Sequence, residues 1–267
     1  MNGEQAGEPA RDPDFVQSLE RGLEVIRAFG ALTPSLTLSE VARETGLSRA
    51  SARRFLHTLV ELGYVGTDGR EFSLRPRVLE LGYAYLSSYS LPDIAQPHLT
   101  QLTETVGESS SVAVLDGADI VYVARVGAYR IMSAAIEVGT RFPAFATSMG
   151  RAILGAGSDA RREEFLARVE LPPLTPRTVT DRDELREALD AVRVQGWALI
   201  DQELELGLRS VAAPLRDITG EVVAAVNVSA PVRRGDVDEI KEDLLPHLLA
   251  AAREIELDLQ RTRTRVR

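Results

Sequence analysis

Arg49, Arg53 and Arg54 lie within residues 47–59, a stretch with three positive charges and no negative one. A guanidinium donates paired hydrogen bonds to phosphate oxygens or to the major-groove edge of guanine. The spacing groups these arginines on one side of a helix. Ala52, Phe55, Leu56 and Leu59 fall at i, i+3, i+4 and i+7, a buried stripe. At about 100° per residue, the opposite face holds Arg49, Ala50, Arg53, Arg54 and His57. Ser48 stands where an N-cap accepts from the first free amides. A helix over residues 38–45 precedes it, burying Leu38, Val41 and Ala42, and Gly46 suits the left-handed residue between the two. Downstream, Tyr64-Val65 and residues 71–74 flank Thr67-Asp68-Gly69-Arg70. Asp-Gly favours a two-residue hairpin turn, with Arg70 near its tip. Helix, turn, helix and hairpin make up a winged helix-turn-helix, which lays its second helix in the DNA major groove. Arg49, Ala50, Arg53 and Arg54 are the expected base-side residues, with Ser48 and Arg70 on the phosphate backbone. A solvated basic helix in a small α-helical cap would share the arginines but would not need the hairpin.

A second constellation is Phe142-Pro143-Ala144-Phe145-Ala146-Thr147-Ser148-Met149-Gly150-Arg151. Pro143 stiffens a loop, and Thr147 or Ser148 can cap a helix beginning near Met149. The first turn of that helix offers free amides and a positive dipole end, where a carboxylate can bind. Gly150 would let a ligand approach the backbone. An ordinary capped helix with a packed loop fits the same letters, and the residues alone do not separate the two readings.

Catalysis has little to build on. His57, His98 and His247 are far apart and in no metal-ligand spacing, with His98 and His247 read as surface helix residues. There is no nucleophile-elbow or P-loop motif. Gly155-Ala156-Gly157-Ser158-Asp159-Ala160 fits a loose dinucleotide fingerprint but follows a helix, so it reads as a helix stop. The 267 residues contain no cysteine, which excludes disulfides, zinc-thiolate sites and thiol catalysis and fits a cytoplasmic protein. No apolar run is long enough for a membrane span, and no signal peptide opens the chain. The expectation is a non-enzyme with no cofactor, no metal and no membrane partner. The net charge of −9 is unevenly spread: residues 1–77 carry 10 basic and 11 acidic groups, residues 78–267 carry 21 and 29. DNA affinity must therefore come from the local basic patch, and phosphate contact from one subunit would be modest.

The elements that position these residues follow from periodicity. Residues 1–14 read as a disordered leader. A first helix over 16–31 directs Leu19, Leu23, Val25, Ile26 and Phe29 to a core, and 15–75 form the winged-helix domain. Pro76 opens a linker helix within 76–91 that is apolar enough to pack, as it would against its copy in a second subunit. As the join between the two parts, it is the natural lever of any coupling. Residues 92–262 read as α/β: a helix at 94–106, strands at 109–116, 119–126 and 131–137, two or three helices between 148 and 195, strands at 197–201, 209–215 and 222–229, and a long helix from Asp236. Short turns between neighbouring strands imply antiparallel pairing. Residues 263–267 are a tail. The whole is a multi-domain α/β protein.

Four segments, FVQSLERGLEVIRAF (15–29), GLSRASARRFLHTLVELGYV (46–65), LRPRVLELGYAYLSS (74–88) and VGTRFPAFATSMGRAILG (138–155), resemble the IclR family of bacterial transcription regulators. They are closer still to its PcaR/PcaU/PobR-type branch, the regulators of the β-ketoadipate pathway. The resemblance implies a winged helix-turn-helix, a linker helix and a GAF-like effector domain with an antiparallel sheet. It also implies homodimers, often pairing as dimers of dimers on double-stranded DNA, and a small carboxylic acid as effector: protocatechuate, 4-hydroxybenzoate or β-ketoadipate. It favours the ligand reading of residues 142–151 and carries over an effector site of Phe145, Ser148, Met149, Gly150, Asp201, Asn227 and Ser229. Asn227 stands where the family commonly has serine. Arg209 is a weaker candidate that could instead brace its loop by pairing with Glu203 or Glu205. Phe142, Phe145 and Met132 could contact a ring or serve the core.

Overall fold

Two side chains set the starts of the central helices of the first unit. Thr37 accepts the Glu40 amide while Glu40 reaches back to the Thr37 amide, a capping box that opens α2 (Leu38–Glu44). Ser48 accepts the Ser51 amide at 3.2 Å and opens α3 (Arg49–Glu61). Gly46, at φ +64°, makes the left-handed turn between them. The computed structural model describes residues 14–30, 33–81, 91–128 and 136–264. The chain divides into two units, Met1–Ser87 and Ser88–Arg267.

In the first unit α1 (Gln17–Arg27) joins α2 and α3, and β1 (Ser35–Thr37), β2 (Val65–Thr67) and β3 (Glu71–Leu74) form an antiparallel sheet in the order β1-β3-β2. Val25, Phe29, Val41, Ala52, Leu56 and Leu59 are its core. Three details differ from the sequence reading. The hairpin ladder closes at Thr67↔Phe72, so the turn is longer than a two-residue Asp-Gly turn; Asp68 Oδ1 holds it by accepting the Arg70 and Glu71 amides, each at 2.8 Å. β1 carries no sequence signal, because three residues have no period of their own. Leu19 and Leu23 are 63% and 48% exposed rather than buried. They form a second apolar stripe with Phe15, on a different side of α1 from Val25 and Phe29, and this unit packs only one side.

Pro76–Val78 is a single 3-10 turn. It runs directly into helix at residues 79–81; the remainder of the expected linker helix, residues 82–90, lies outside the described residues, as do the leader over 1–13, tail residues 265–267 and residues 131–135 of an expected strand.

The second unit is a six-stranded antiparallel sheet in the order β6-β5-β4-β9-β8-β7. Its strands are β4 (Ser109–Asp116), β5 (Asp119–Val126), β6 (Arg141–Pro143), β7 (Ala198–Asp201), β8 (Leu208–Arg216) and β9 (Val222–Pro231). The edge strand β6 lies where the sequence suggests a loop; it pairs with β5, Ile120↔Phe142, whereas Ile136 and Glu137 are outside any strand. One face carries α4 (Leu91–Val106) and α8 (Val237–Thr264), packed through Leu99, Leu102, Leu244, Leu248 and Ile255. The other carries α5 (Ser148–Ala156), α6 (Asp159–Arg168) and α7 (Arg182–Gln195), packed through Met149, Ile153, Leu166, Leu185 and Leu189. His98 is not a free surface residue: its Nε2 lies 3.0 Å from Asp258 Oδ2, joining α4 to α8.

Candidate functional site

On the first unit, Ser48, Arg49, Ala50, Arg53 and Arg54 are exposed together at the start of α3, and Arg70 is exposed on the β2–β3 turn. The Arg49, Arg53 and Arg54 side chains make no hydrogen bond or ion pair among the described residues. Three unpaired guanidinium groups on one helix face are available to an external polyanion.

On the second unit, α5, the β5–β4–β9–β8 face and the loop after β7 line a half-open cavity of about 250 Å³. Thr147 caps α5 by accepting the Gly150 amide at 3.2 Å, so the helix starts at Ser148. Of the residues expected from sequence, Ser148, Met149, Asn227 and Ser229 line the cavity. Asn227 Nδ2 donates to Ser229 Oγ at 3.0 Å. Two polar atoms of the lining have no partner among the described residues: Ser148 Oγ and Asn227 Oδ1, on residues 1% and 3% exposed. A buried polar atom left unpaired costs about 1–3 kcal/mol, so both are prepared for a ligand that supplies hydrogen bonds.

Three expected residues are elsewhere. Asp201 is outside the cavity lining, with Arg177 Nη1 and Arg209 Nε each 2.5 Å from its carboxylate. Burial alone would raise this carboxyl, but hydrogen bonds from Arg209 and Gln202 and the charges of Arg209 and Arg177 hold it below the usual range. Arg209 thus pairs with Asp201 and the Gly235 carbonyl, not with Glu203 or Glu205. Phe145 is buried in the core under α5. Gly150 is glycine for packing: a Cβ there would lie 2.1 Å from the Ala144 carbonyl oxygen, so what approaches it is the chain's own backbone. Phe142 stacks edge-on against Tyr122, ring centroids 5.9 Å apart. Met132 lies outside the described residues.

Sequence reasoning missed Tyr122, Arg125 and Glu108, all in the cavity wall. In a regular strand Tyr122 and Arg125 would face opposite sides. The β4–β5 register shifts between Val112↔Ala124 and Ala113↔Tyr122, leaving Val123 as an extra residue. That bulge turns Val123 and Ala124 to the α4/α8 side and brings Tyr122 and Arg125 to the cavity. Burial pushes the Tyr122 hydroxyl up to about 12, against the charge of Arg125, so it is a neutral phenol near pH 7. Burial also lowers Arg125, although an arginine remains charged. Glu108 is 3% exposed and pairs with Arg234 at 3.2 Å. No group of His, Asp or Glu side chains that could hold a metal occurs among the described residues, and none of their helices is long and apolar enough to cross a membrane.

The model of the IclR helix-turn-helix domain matches residues 18–69, and that of the bacterial transcriptional regulator IclR C-terminal domain matches residues 83–257. The chain is 46% identical over 245 residues to the Pca regulon regulatory protein of Pseudomonas putida, covering 91% of this chain and 84% of that one. A crystal structure from Rhodococcus sp. RHA1 is 56% identical, with a TM-score of 0.81, covering 92% of this chain and 98% of that one. An IclR homologue from Microbacterium hydrocarbonoxydans, solved in complex with 4-hydroxybenzoate, is 28% identical, with a TM-score of 0.79, covering 91% and 98%.

Proposed function

Because the chain belongs to the IclR family of bacterial transcriptional regulators, and is a DNA-binding regulator rather than an enzyme, we propose that it answers to a small aromatic acid of the protocatechuate or 4-hydroxybenzoate type, or to the ring-opened β-ketoadipate. The acid occupies the cavity beside α5. The observation that carries this reading is the pair of buried, partnerless polar atoms, Ser148 Oγ and Asn227 Oδ1, in the lining of a 250 Å³ cavity. The names of its relatives supply the chemical class: a Pca regulon regulator and a homologue holding 4-hydroxybenzoate.

On the same proposal, Arg49, Ala50, Arg53 and Arg54 enter the major groove, with Ser48 and Arg70 on phosphates. Residues 15–75 serve as the DNA-binding part, 76–91 as the linker and 92–262 as the effector part, working in the cytoplasm. The chain acts as a homodimer or dimer of dimers; the exposed Phe15, Val16, Leu19 and Leu23 of the α1 region support self-association.

The test is thermal unfolding against protocatechuate, 4-hydroxybenzoate, β-ketoadipate, glyoxylate and pyruvate. A ligand at one hundred times its Kd stabilises by about 2.7 kcal/mol, which raises Tm by several degrees. A shift with an aromatic acid or β-ketoadipate, together with altered retention of promoter DNA, is the expected result. Silence across the panel would remove the effector reading and leave a regulator whose second domain serves only assembly.

A further inference from the structure

We propose that Arg125 is the residue that takes the effector's carboxylate, with Asn227 receiving a polar group at the other end of the ligand and Ser148 a further hydrogen-bond partner in the cavity lining. This rests on the effector reading above. Among the described residues Arg125 is the only cation in the cavity lining. It has no ion pair or hydrogen bond there, although burial already disfavours its charge. The two carboxylates of the lining are engaged elsewhere or exposed: Glu108 is paired with Arg234, and Glu205 is exposed to solvent. A guanidinium half withdrawn from water without a counter-anion is disfavoured, and an entering carboxylate reduces that penalty while making a charge-assisted, two-pronged contact.

The competing anchor is the N-terminus of α5. It carries about half a unit charge, and Thr147 already satisfies the Gly150 and Arg151 amides, so a full guanidinium charge outweighs it.

Register fixes the distance between the two ends. Ser111 of β4 is opposite Arg125 on one side and Asn227 on the other, so the three side chains share one face. Two strand spacings put the Arg125 and Asn227 α-carbons about 10 Å apart. Side chains reaching inward from both leave a gap that a benzene ring with polar groups at opposite ends bridges. The bulge at Val123 creates this arrangement, because a regular β5 would not bring both Tyr122 and Arg125 to the cavity.

The experiment is isothermal titration calorimetry of the full chain with 4-hydroxybenzoate, protocatechuate, β-ketoadipate and the uncharged 4-hydroxybenzamide. It uses the wild type, Arg125→Gln, Arg125→Lys and Ser148→Ala. We expect Arg125→Gln to weaken the acids about 30-fold or more, and to leave the amide within about threefold of wild type. Arg125→Lys should recover much of the loss. Ser148→Ala should weaken the hydroxylated acids without removing the preference for acid over amide. Arg125→Gln without ligand should melt no lower than wild type, since it removes an unpaired charge, and this separates an anchoring role from a structural one. Acid binding by Arg125→Gln within threefold of wild type overturns the assignment and leaves the effector reading intact. No binding of any acid by the wild type overturns both.

Discussion

Arg151 and Glu203 form a bidentate ion pair inside the second unit, Nη1–Oε1 3.0 Å and Nη2–Oε2 2.6 Å, with side chains 6% and 10% exposed. Arg151 Nε also donates to the Phe145 carbonyl at 2.8 Å, and Glu203 Oε2 accepts the Val179 amide at 3.1 Å. Arg151→Met would leave a buried carboxylate with one amide donor. Loss of one partner from a buried pair costs about 3–5 kcal/mol, whereas replacing both with apolar groups of similar volume is close to neutral. Arg151→Met and Glu203→Leu should therefore each destabilise strongly, and the double variant should recover most of the loss. The assay is urea unfolding followed by fluorescence. Trp197, the only tryptophan, stands just before β7 and reports on this unit alone. With a slope of about 2 kcal/mol per molar urea, each single variant should lower the midpoint by about 2 M. Midpoint shifts below about 0.3 M in the singles, or a double variant whose loss equals their sum, would refute the reasoning. The pair also joins α5, which presents Ser148 and Met149, to the loop whose Leu204–Leu208 segment closes the cavity. Effector affinity should fall with each single variant and return with the double.

Three further outcomes follow from the geometry. Arg53→Ala should cost about 1–3 kcal/mol in operator affinity and relax specificity at one base pair if Arg53 reads a guanine. Anisotropy with matched and mismatched duplexes over a salt series checks this, and a uniform loss across sequences would make Arg53 a phosphate contact instead. Gly150→Ala puts a methyl 2.1 Å from a backbone oxygen that cannot yield; the cost should be about 3 kcal/mol, at the upper end for overpacking, read by the Trp197 unfolding transition. Asp201 has a folded pKa below its unfolded value of 3.8, so its pairing stabilises above that value and is lost as the pH falls through the folded pKa. Asp201→Asn should flatten the decline in stability below about pH 4 and leave effector affinity within twofold, since the residue is outside the cavity lining.

What the sequence revealed and what it hid divide along one line. The α3 stripe, the Ser48 cap and the β4–β5 and β8–β9 hairpins are governed by neighbours a few residues away, and local period and turn chemistry report them. The cavity wall is not local. Arg125 reaches it through one extra residue at Val123, which inverts the strand alternation a reader must assume. Arg151 reads as one more helix arginine until Glu203, 52 residues on, is packed against it. The engagement of Asp201 is hidden for the same reason: its carboxylate is held by Arg177 and Arg209 from two other segments. Leu19 and Leu23 carry a valid helical period, but which apolar stripe a small unit buries depends on what it has available to pack.

The cavity also bears on how a bound acid can control DNA. An effector shifts a conformational equilibrium only by its differential affinity for the two states, and a tenfold change in DNA affinity requires about 1.4 kcal/mol of coupling. The Ser148 hydroxyl and the Asn227 carbonyl in the cavity lining are buried without partners, and each unpaired buried group costs about 1–3 kcal/mol. A conformation that keeps these groups facing one another, ready for the acid, carries that cost until the acid arrives. A conformation that separates them or admits water carries less. Binding therefore favours the first state by a margin that the polar groups set, and relieving even one of them is of the size that tenfold control requires. The same groups that select the acid thus supply the free energy with which it can act.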